Sequence, residues 1–261
     1  MATTHVRGID VYHEVAGDGQ PVLLISGTGA DLRNVPHDRH PLARHFETHA
    51  YDQRGLGQTS KPDEPYTMAD YADDAAALIA ALGLERAHVV GVSFGGMVAQ
   101  HQALRHPAIV DRLVLMCTSP GGPMPSLDLL SMVDLSPEEH AAAYLLRMDT
   151  RVVPGEPLPE DVERLVALRA QRRPVTEPDA KMGAYRQLVA RADHDVFDRL
   201  GDIVAPTLVI GGRTDGVAPP ANLEAMADRI PDARLVFCNG GHMFALQDRT
   251  AWPTVIDFLK D

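Results

Sequence analysis

Apolar positions along this chain fall in short runs, and most of the runs are continuous rather than alternating. Residues 9–15, 21–26, 48–52, 87–92, 112–117, 206–211 and 234–238 read as strands. Continuous apolar runs of this length suit strands covered on both sheet faces. Between them the period changes. Tyr71, Ala75, Leu78, Ile79 and Leu82 recur at helical spacing, Thr67 and Asp70 form a capping box before them, and Gly83 ends the helix. Residues 94–106 read as a second helix stopped by Pro107, and 222–230 and 252–259 as later ones. Strand and helix in rotation predict parallel strands joined by crossover helices. The fold class expected is α/β, with a mostly parallel twisted sheet flanked by helices.

One segment breaks the rotation. It opens with the hinge-like Ser119-Pro120-Gly121-Gly122-Pro123-Met124-Pro125. A capping box with proline in its first turn follows at Ser136-Pro137-Glu138-Glu139. Helical patterns then cover 161–172 and 179–191, the latter with Met182, Tyr185, Leu188 and Val189 at helical spacing. This predicts a body of residues 1–118 and 201–261 and an all-helical cap of residues 119–200. Such a cap would lie over the carboxyl ends of the strands, where open α/β sheets bind ligands.

Composition narrows the picture. A chain of 261 residues can bury one sizeable core, and its formal charge of −12 argues against a nucleic-acid partner. The opening MATTHVRGIDVYHEV has no apolar stretch of the kind a secretory signal needs. No run is apolar for the length a membrane span requires. Cys117 and Cys238 sit in separate core-like runs, without metal-ligand or redox spacing. A cytoplasmic protein with free cysteines, no metal, no cofactor and a small-molecule partner is expected.

The chemistry concentrates in Gly91-Val92-Ser93-Phe94-Gly95, directly after an apolar run. A G-x-S-x-G sequence there can hold a serine on a tight strand-to-helix turn as a nucleophile. A serine hydroxyl needs a base, and the base needs an orienting acid. Asp215 follows the 207–212 run in a Gly-rich loop, and His242 follows the 234–238 run in another. The order Ser93, Asp215, His242 is the chain order of a triad on an α/β-hydrolase sheet.

With these pieces the chain resembles the α/β-hydrolase fold family with a helical cap. The resemblance rests on Ser26-Gly27-Thr28-Gly29, on Tyr51-Asp52-Gln53-Arg54-Gly55-Leu56-Gly57, on the serine turn, on Gly212-Arg213-Thr214-Asp215 and on Gly240-Gly241-His242. It is similar to bacterial hydrolases of the 3-oxoadipate enol-lactonase and polyketide methyl-esterase type. It implies Ser93 as nucleophile, His242 as base and Asp215 as orienting acid. It also implies an oxyanion hole from the Phe94 N–H and a second N–H at Thr28, with Gly29 the other choice. Where the family has His-Gly before that donor, this chain has Ser26-Gly27. The activity implied is a carboxylic ester hydrolase or lactonase acting on a small, largely apolar substrate. Alternatives on the same fold are cleavage of a C–C bond in a β-diketone-like substrate, lyase, cyclase or oxygenase chemistry on the His–Asp pair, and a receptor without turnover.

Gly27, Gly29, Met124, Leu129 and Met148 are candidate pocket residues. Asp52 and Arg54 are expected to hold their Gly-rich loop by hydrogen bonds. Asp31, Arg33, Asn34, His37 and His40 line either the pocket mouth or a plain surface loop. His194-Asp195 could imitate a dyad, but an aspartate there suits a cap on the next turn. His88, His101 and His106 are expected to be structural.

Overall fold

A computed structural model describes residues 1–34, 37–171 and 178–261. Its elements run β1 (Ala2–Val6), β2 (Ile9–Ala16), β3 (Pro21–Ile25), β4 (Glu47–Tyr51), α1 (Met68–Ala81), β5 (Ala87–Val92), α2 (Phe94–Arg105) and β6 (Val110–Met116). Then come α3 (Pro137–Met148), α4 (Glu160–Ala170), α5 (Pro178–Ala192), β7 (Thr207–Gly212), α6 (Pro220–Arg229), β8 (Ala233–Cys238), α7 (Phe244–Gln247) and α8 (Ala251–Lys260).

The strands form one sheet in the order β1-β2-β4-β3-β5-β6-β7-β8. From β4 to β8 every pair is parallel, while β2 runs antiparallel to both its neighbours. β1 has no apolar signal, because most of its residues face solvent. It is an edge strand, tied to β2 by a tight turn at Arg7 and Gly8, both at positive φ.

Alternate residues of each central strand enter different cores. Leu23, Ile25, Val89, Leu113, Leu115 and Val209 pack with α1, α2 and α6 on one face. Val22, Leu24, Val90, Val114, Met116 and Ile210 pack with α8 on the other. Both cysteines are buried and free. No described helix is long and apolar enough to cross a membrane.

Between β6 and β7 lie the helices α3, α4 and α5, the segment that the sequence pattern predicts as a cap. Its two ends are clipped together where Gly121 bridges Asp195 and the Val196 N–H donates to Pro120 O at 2.9 Å. Ala190, Val196 and Leu200 are buried in one cluster with Ile203 and Ala205. The expected end of the α4 pattern, Arg172, lies outside the described residues. Of the expected apolar positions in α5, Met182 and Tyr185 lie outside, 49% and 46% exposed, while Leu188 and Val189 are half-buried. The helix turns Ala180, Gly183 and Ala190 inward instead, because its backbone packs directly against Gly55.

One carboxylate fastens the cap to the loops after β7 and β8. Asp149, fully buried just after α3, accepts from Arg151 Nη2 at 2.6 Å, Thr214 Oγ1 at 2.8 Å and Gln247 Nε2 at 3.0 Å. Gln247 Oε1 in turn accepts the Gly241 N–H at 2.9 Å. Burial alone would raise the Asp149 pKa, but the hydrogen bonds from Arg151, Gln247 and Thr214 outweigh it and hold it at about 2. A folded pKa below the ordinary 3.8 means that the unfolded chain takes the proton more readily. The stabilisation is therefore complete above the ordinary value and is lost as pH falls toward 2. Asp149→Asn should cost on the order of 2 kcal/mol at neutral pH. Thermal melts should put the variant several degrees below wild type at pH 7, with the gap narrowing at the lowest pH at which both stay folded.

Candidate active site

Parallel register builds the site. Ile25 pairs with Gly91, Val92 with Met116, Met116 with Ile210 and Gly212 with Cys238. The strands β3, β5, β6, β7 and β8 thus end along one edge of the sheet, and the loops that follow them start side by side.

After β5 the chain turns sharply into α2 at Ser93, which holds φ 55 and ψ −115. A non-glycine residue in that region is strained and needs support from its surroundings. Here the Ser93 N–H donates to Met116 O at 2.8 Å, and Thr118 Oγ1 donates to Ser93 O at 2.8 Å. The flanking glycines are required by contact. A Cβ on Gly95 would lie 2.0 Å from Ile25 O, and one on Gly91 would lie 2.4 Å from Gly95 O.

The three residues expected to act together meet here. His242 Nε2 lies 2.9 Å from Ser93 Oγ, and His242 Nδ1 lies 2.8 Å from Asp215 Oδ2. A carboxylate only accepts, so Nδ1 carries the proton and Nε2 is left to accept from the serine hydroxyl. Asp215 is 2% exposed, and its Oδ1 accepts the N–H groups of Val217 at 2.7 Å and Ala218 at 2.9 Å. The His242 N–H donates to Met148 O of the cap at 2.6 Å. Cys117, close by, stays a thiol, because burial and the Asp215 charge push its pKa well up.

The Phe94 N–H opens α2 and has no hydrogen-bond partner among the described residues. It points with the positive end of the helix dipole. Gly27 abuts the serine, since a Cβ on it would sit 3.4 Å from Ser93 Cβ. The Gly29 N–H is engaged by Gln187 Oε1 of α5 at 2.9 Å, whereas that of Thr28 has no partner among the described residues. Of the two candidate second donors, Thr28 is the one left available. Ser26 O, where the chain departs from the family pattern, accepts from Gln53 Nε2 at 2.8 Å.

Other candidates are placed as follows. Met124 closes a tight turn with Gly121 and accepts from Ser119 Oγ at 2.7 Å. Leu129 follows Leu127, whose N–H donates to Val217 O at 2.7 Å beside the acid loop. The Met148 side chain is buried in the cap's own cluster with Val162 and Leu165. Asp52 accepts from the Leu32 and Gln58 N–H groups, and Arg54 makes a buried two-point pair with Asp74. Both hold their loop. Asp31 pairs with Arg33 at 2.6 Å, and His37 Nε2 lies 2.8 Å from Thr48 O. His40 sits edge-on to Trp252, and burial lowers its pKa to about 4. His88 is buried, and His106 pairs with Asp73 at 2.7 Å.

His194 Nε2 lies 2.9 Å from Ser119 O, and its Nδ1 is 3.2 Å from His101 Nε2. Asp195 accepts the Phe197 N–H at 3.0 Å, so the two make no dyad. Sequence reasoning missed Thr118, Asp149 and Gln187, which touch the site or the residues next to it. Each is a polar residue without a motif, and no local signal in the sequence marks it.

Residues 20–248 match the alpha/beta hydrolase fold family. A poly(3-hydroxyalkanoate) depolymerase of Ectopseudomonas oleovorans is 30% identical over 243 residues, covering 92% of this chain and 84% of that protein. The crystal structure of an enol-lactonase from Burkholderia xenovorans LB400 superposes with a TM-score of 0.83 at 26% identity, covering 100% of both chains. A meta-cleavage product hydrolase from Pseudomonas fluorescens IP01 superposes with a TM-score of 0.76 at 26% identity, covering 100% of this chain and 97% of that one. With a match over residues 20–248, the chain belongs to the alpha/beta hydrolase fold family.

Proposed function

We propose that the chain is a cytoplasmic serine hydrolase that cleaves a small, largely apolar ester or lactone through an acyl-enzyme. The observation that carries this reading is the unbroken line Ser93 Oγ, His242 Nε2, His242 Nδ1, Asp215 Oδ2, with separations of 2.9 and 2.8 Å. In this reading His242 takes the Ser93 proton as Oγ attacks the carbonyl carbon. The negative charge on the carbonyl oxygen is met by the N–H groups of Phe94 and Thr28. As the C–O bond breaks, His242 returns the proton to the leaving oxygen, which stays tethered if the substrate is a lactone. A water, deprotonated by His242, then attacks the acyl carbon and frees Ser93. Asp215 fixes the imidazole tautomer and stabilises the imidazolium.

The enol-lactonase likeness supports the lactone form of this reading. The meta-cleavage product hydrolase likeness favours one second reading, hydrolysis of a C–C bond by the same three residues. Two buried unpaired cysteines suit a reducing compartment.

A panel of esters, lactones and β-diketones, assayed on wild type and Ser93→Ala, separates these readings. Ser93→Ala should lose fluorophosphonate labelling and all turnover above background. Full activity in that variant would remove the nucleophile and leave base-only chemistry on His242 and Asp215. Asp215→Asn keeps the shape but favours the wrong imidazole tautomer, so kcat should fall by about 10⁴. A drop of less than about tenfold would mean that Asp215 does not orient the base.

A further inference from the structure

The last turn of α3 and the two residues after it lie against the loops that carry Asp215 and His242. Arg147 O accepts the Gly216 N–H at 2.9 Å, and Met148 O accepts the His242 N–H at 2.6 Å. The Asp149 carboxylate takes the Thr214 hydroxyl at 2.8 Å, and the Thr150 N–H donates to Thr214 O at 2.8 Å. Four consecutive residues thus hold the positions on either side of the acid, and the amide of the base itself. The packing is backbone on backbone: a Cβ on Gly241 would lie 2.1 Å from Met148 O.

One link in this set runs through a side chain. Gln247, at the end of α7, takes the Gly241 N–H on Oε1 at 2.9 Å. Its Nε2 donates to Asp149 Oδ2 at 3.0 Å and to Asp161 Oδ2 at 2.8 Å. Arg151 Nη2 donates to the same two carboxylate oxygens, at 2.6 Å each. Burial works to raise the Asp161 pKa, but hydrogen bonds from Arg151 and Gln247 lower it, as they do that of Asp149. Two ionised carboxylates against one guanidinium leave the cluster net negative. The side chain at 247 must therefore accept on one side and donate on the other while carrying no charge, and glutamine does that. A carboxylate there could take the Gly241 N–H, but it would set a third negative charge beside the other two.

A plain loop tie would account for any one of these bonds. It does not account for their endpoints, residues 214, 216, 241 and 242, which flank or include the acid and the base. We propose that Arg147–Thr150 splints the acid loop to the base loop, and that Asp149 and Gln247 are positioning residues that keep Asp215 and His242 in line with Ser93. The splint rests on the hydrolase reading and adds a requirement to it: Ser93 is fully activated only while the end of α3 is seated on both loops.

The test is the rate at which a fluorophosphonate labels Ser93, which reads activation of the serine without a chosen substrate. Gln247→Met fills similar space and removes both links. It should label about ten- to a hundredfold more slowly than wild type, the loss that a misplaced catalytic group brings. On any ester that wild type turns over, kcat should fall while KM stays within about twofold. The downfield NMR resonance of the His242 Nδ1 proton should shift or broaden. Gln247→Glu should label slowly at about pH 8, and its rate relative to wild type should rise as pH falls to about 5.5. The introduced carboxyl, its pKa raised by two neighbouring carboxylates, regains a donor when it takes a proton, and the ratio removes the titration of the base itself. Labelling of Gln247→Met within about threefold of wild type, with only a lower Tm, would overturn the splint and make Gln247 a plain tie. Should that variant fail to fold, Gln247→Glu decides, and a ratio that does not change with pH overturns it. Wild type that neither labels nor turns over any ester would instead remove the hydrolase reading. The His242 resonance would still judge the splint, since one unchanged in Gln247→Met overturns it.

Discussion

The closest backbone approach at the site is the one between Gly95 and the end of β3. With Ile25 O 2.0 Å from where a Cβ would stand, the first turn of α2 is pressed onto the loop that follows β3. Gly27 abuts Ser93 on the same side, and Ser93 itself sits in a backbone region that costs about 1–3 kcal/mol. The strain is held locally, by Met116 O on the Ser93 amide and by the Thr118 hydroxyl on its carbonyl. Both restraints come from β6 and the residues just after it, the strand next to β5. A parallel sheet whose strands end in register is thus the support on which the turn depends.

The cap is part of this support as well as a cover. Its Met148 carbonyl holds the His242 amide, and its Asp149 carboxylate grips Thr214, the residue before Asp215. Through Gln247 the same carboxylate reaches Gly241, the residue before His242. At the opposite side of the site Gln187 holds the Gly29 amide. A displacement of the cap would therefore release the neighbours of the acid, the base and the oxyanion loop together.

Why some of this was legible in the sequence and some was not has a physical basis. The strands β3, β5 and β7 are buried on both faces, and burial writes a continuous apolar run that can be read without knowing the neighbours. The Ser93 turn, the Asp215 loop and the His242 loop each follow such a run, so position after a strand selected them. His242 is told from His194 by following a strand and by coming after Ser93 and Asp215 in the chain, whereas His194 follows a helix and hydrogen-bonds to Ser119 O. β1 left no trace because an exposed edge strand needs no apolar residues. The apolar spacing in α5 marks the helix, but Met182 and Tyr185 face solvent and only Leu188 and Val189 are half-buried. That helix approaches the body through small residues, which carry no hydrophobic signal. Gln187, Asp149 and Thr118 act through partners far along the chain, and a polar residue with a distant partner looks in sequence like one facing water.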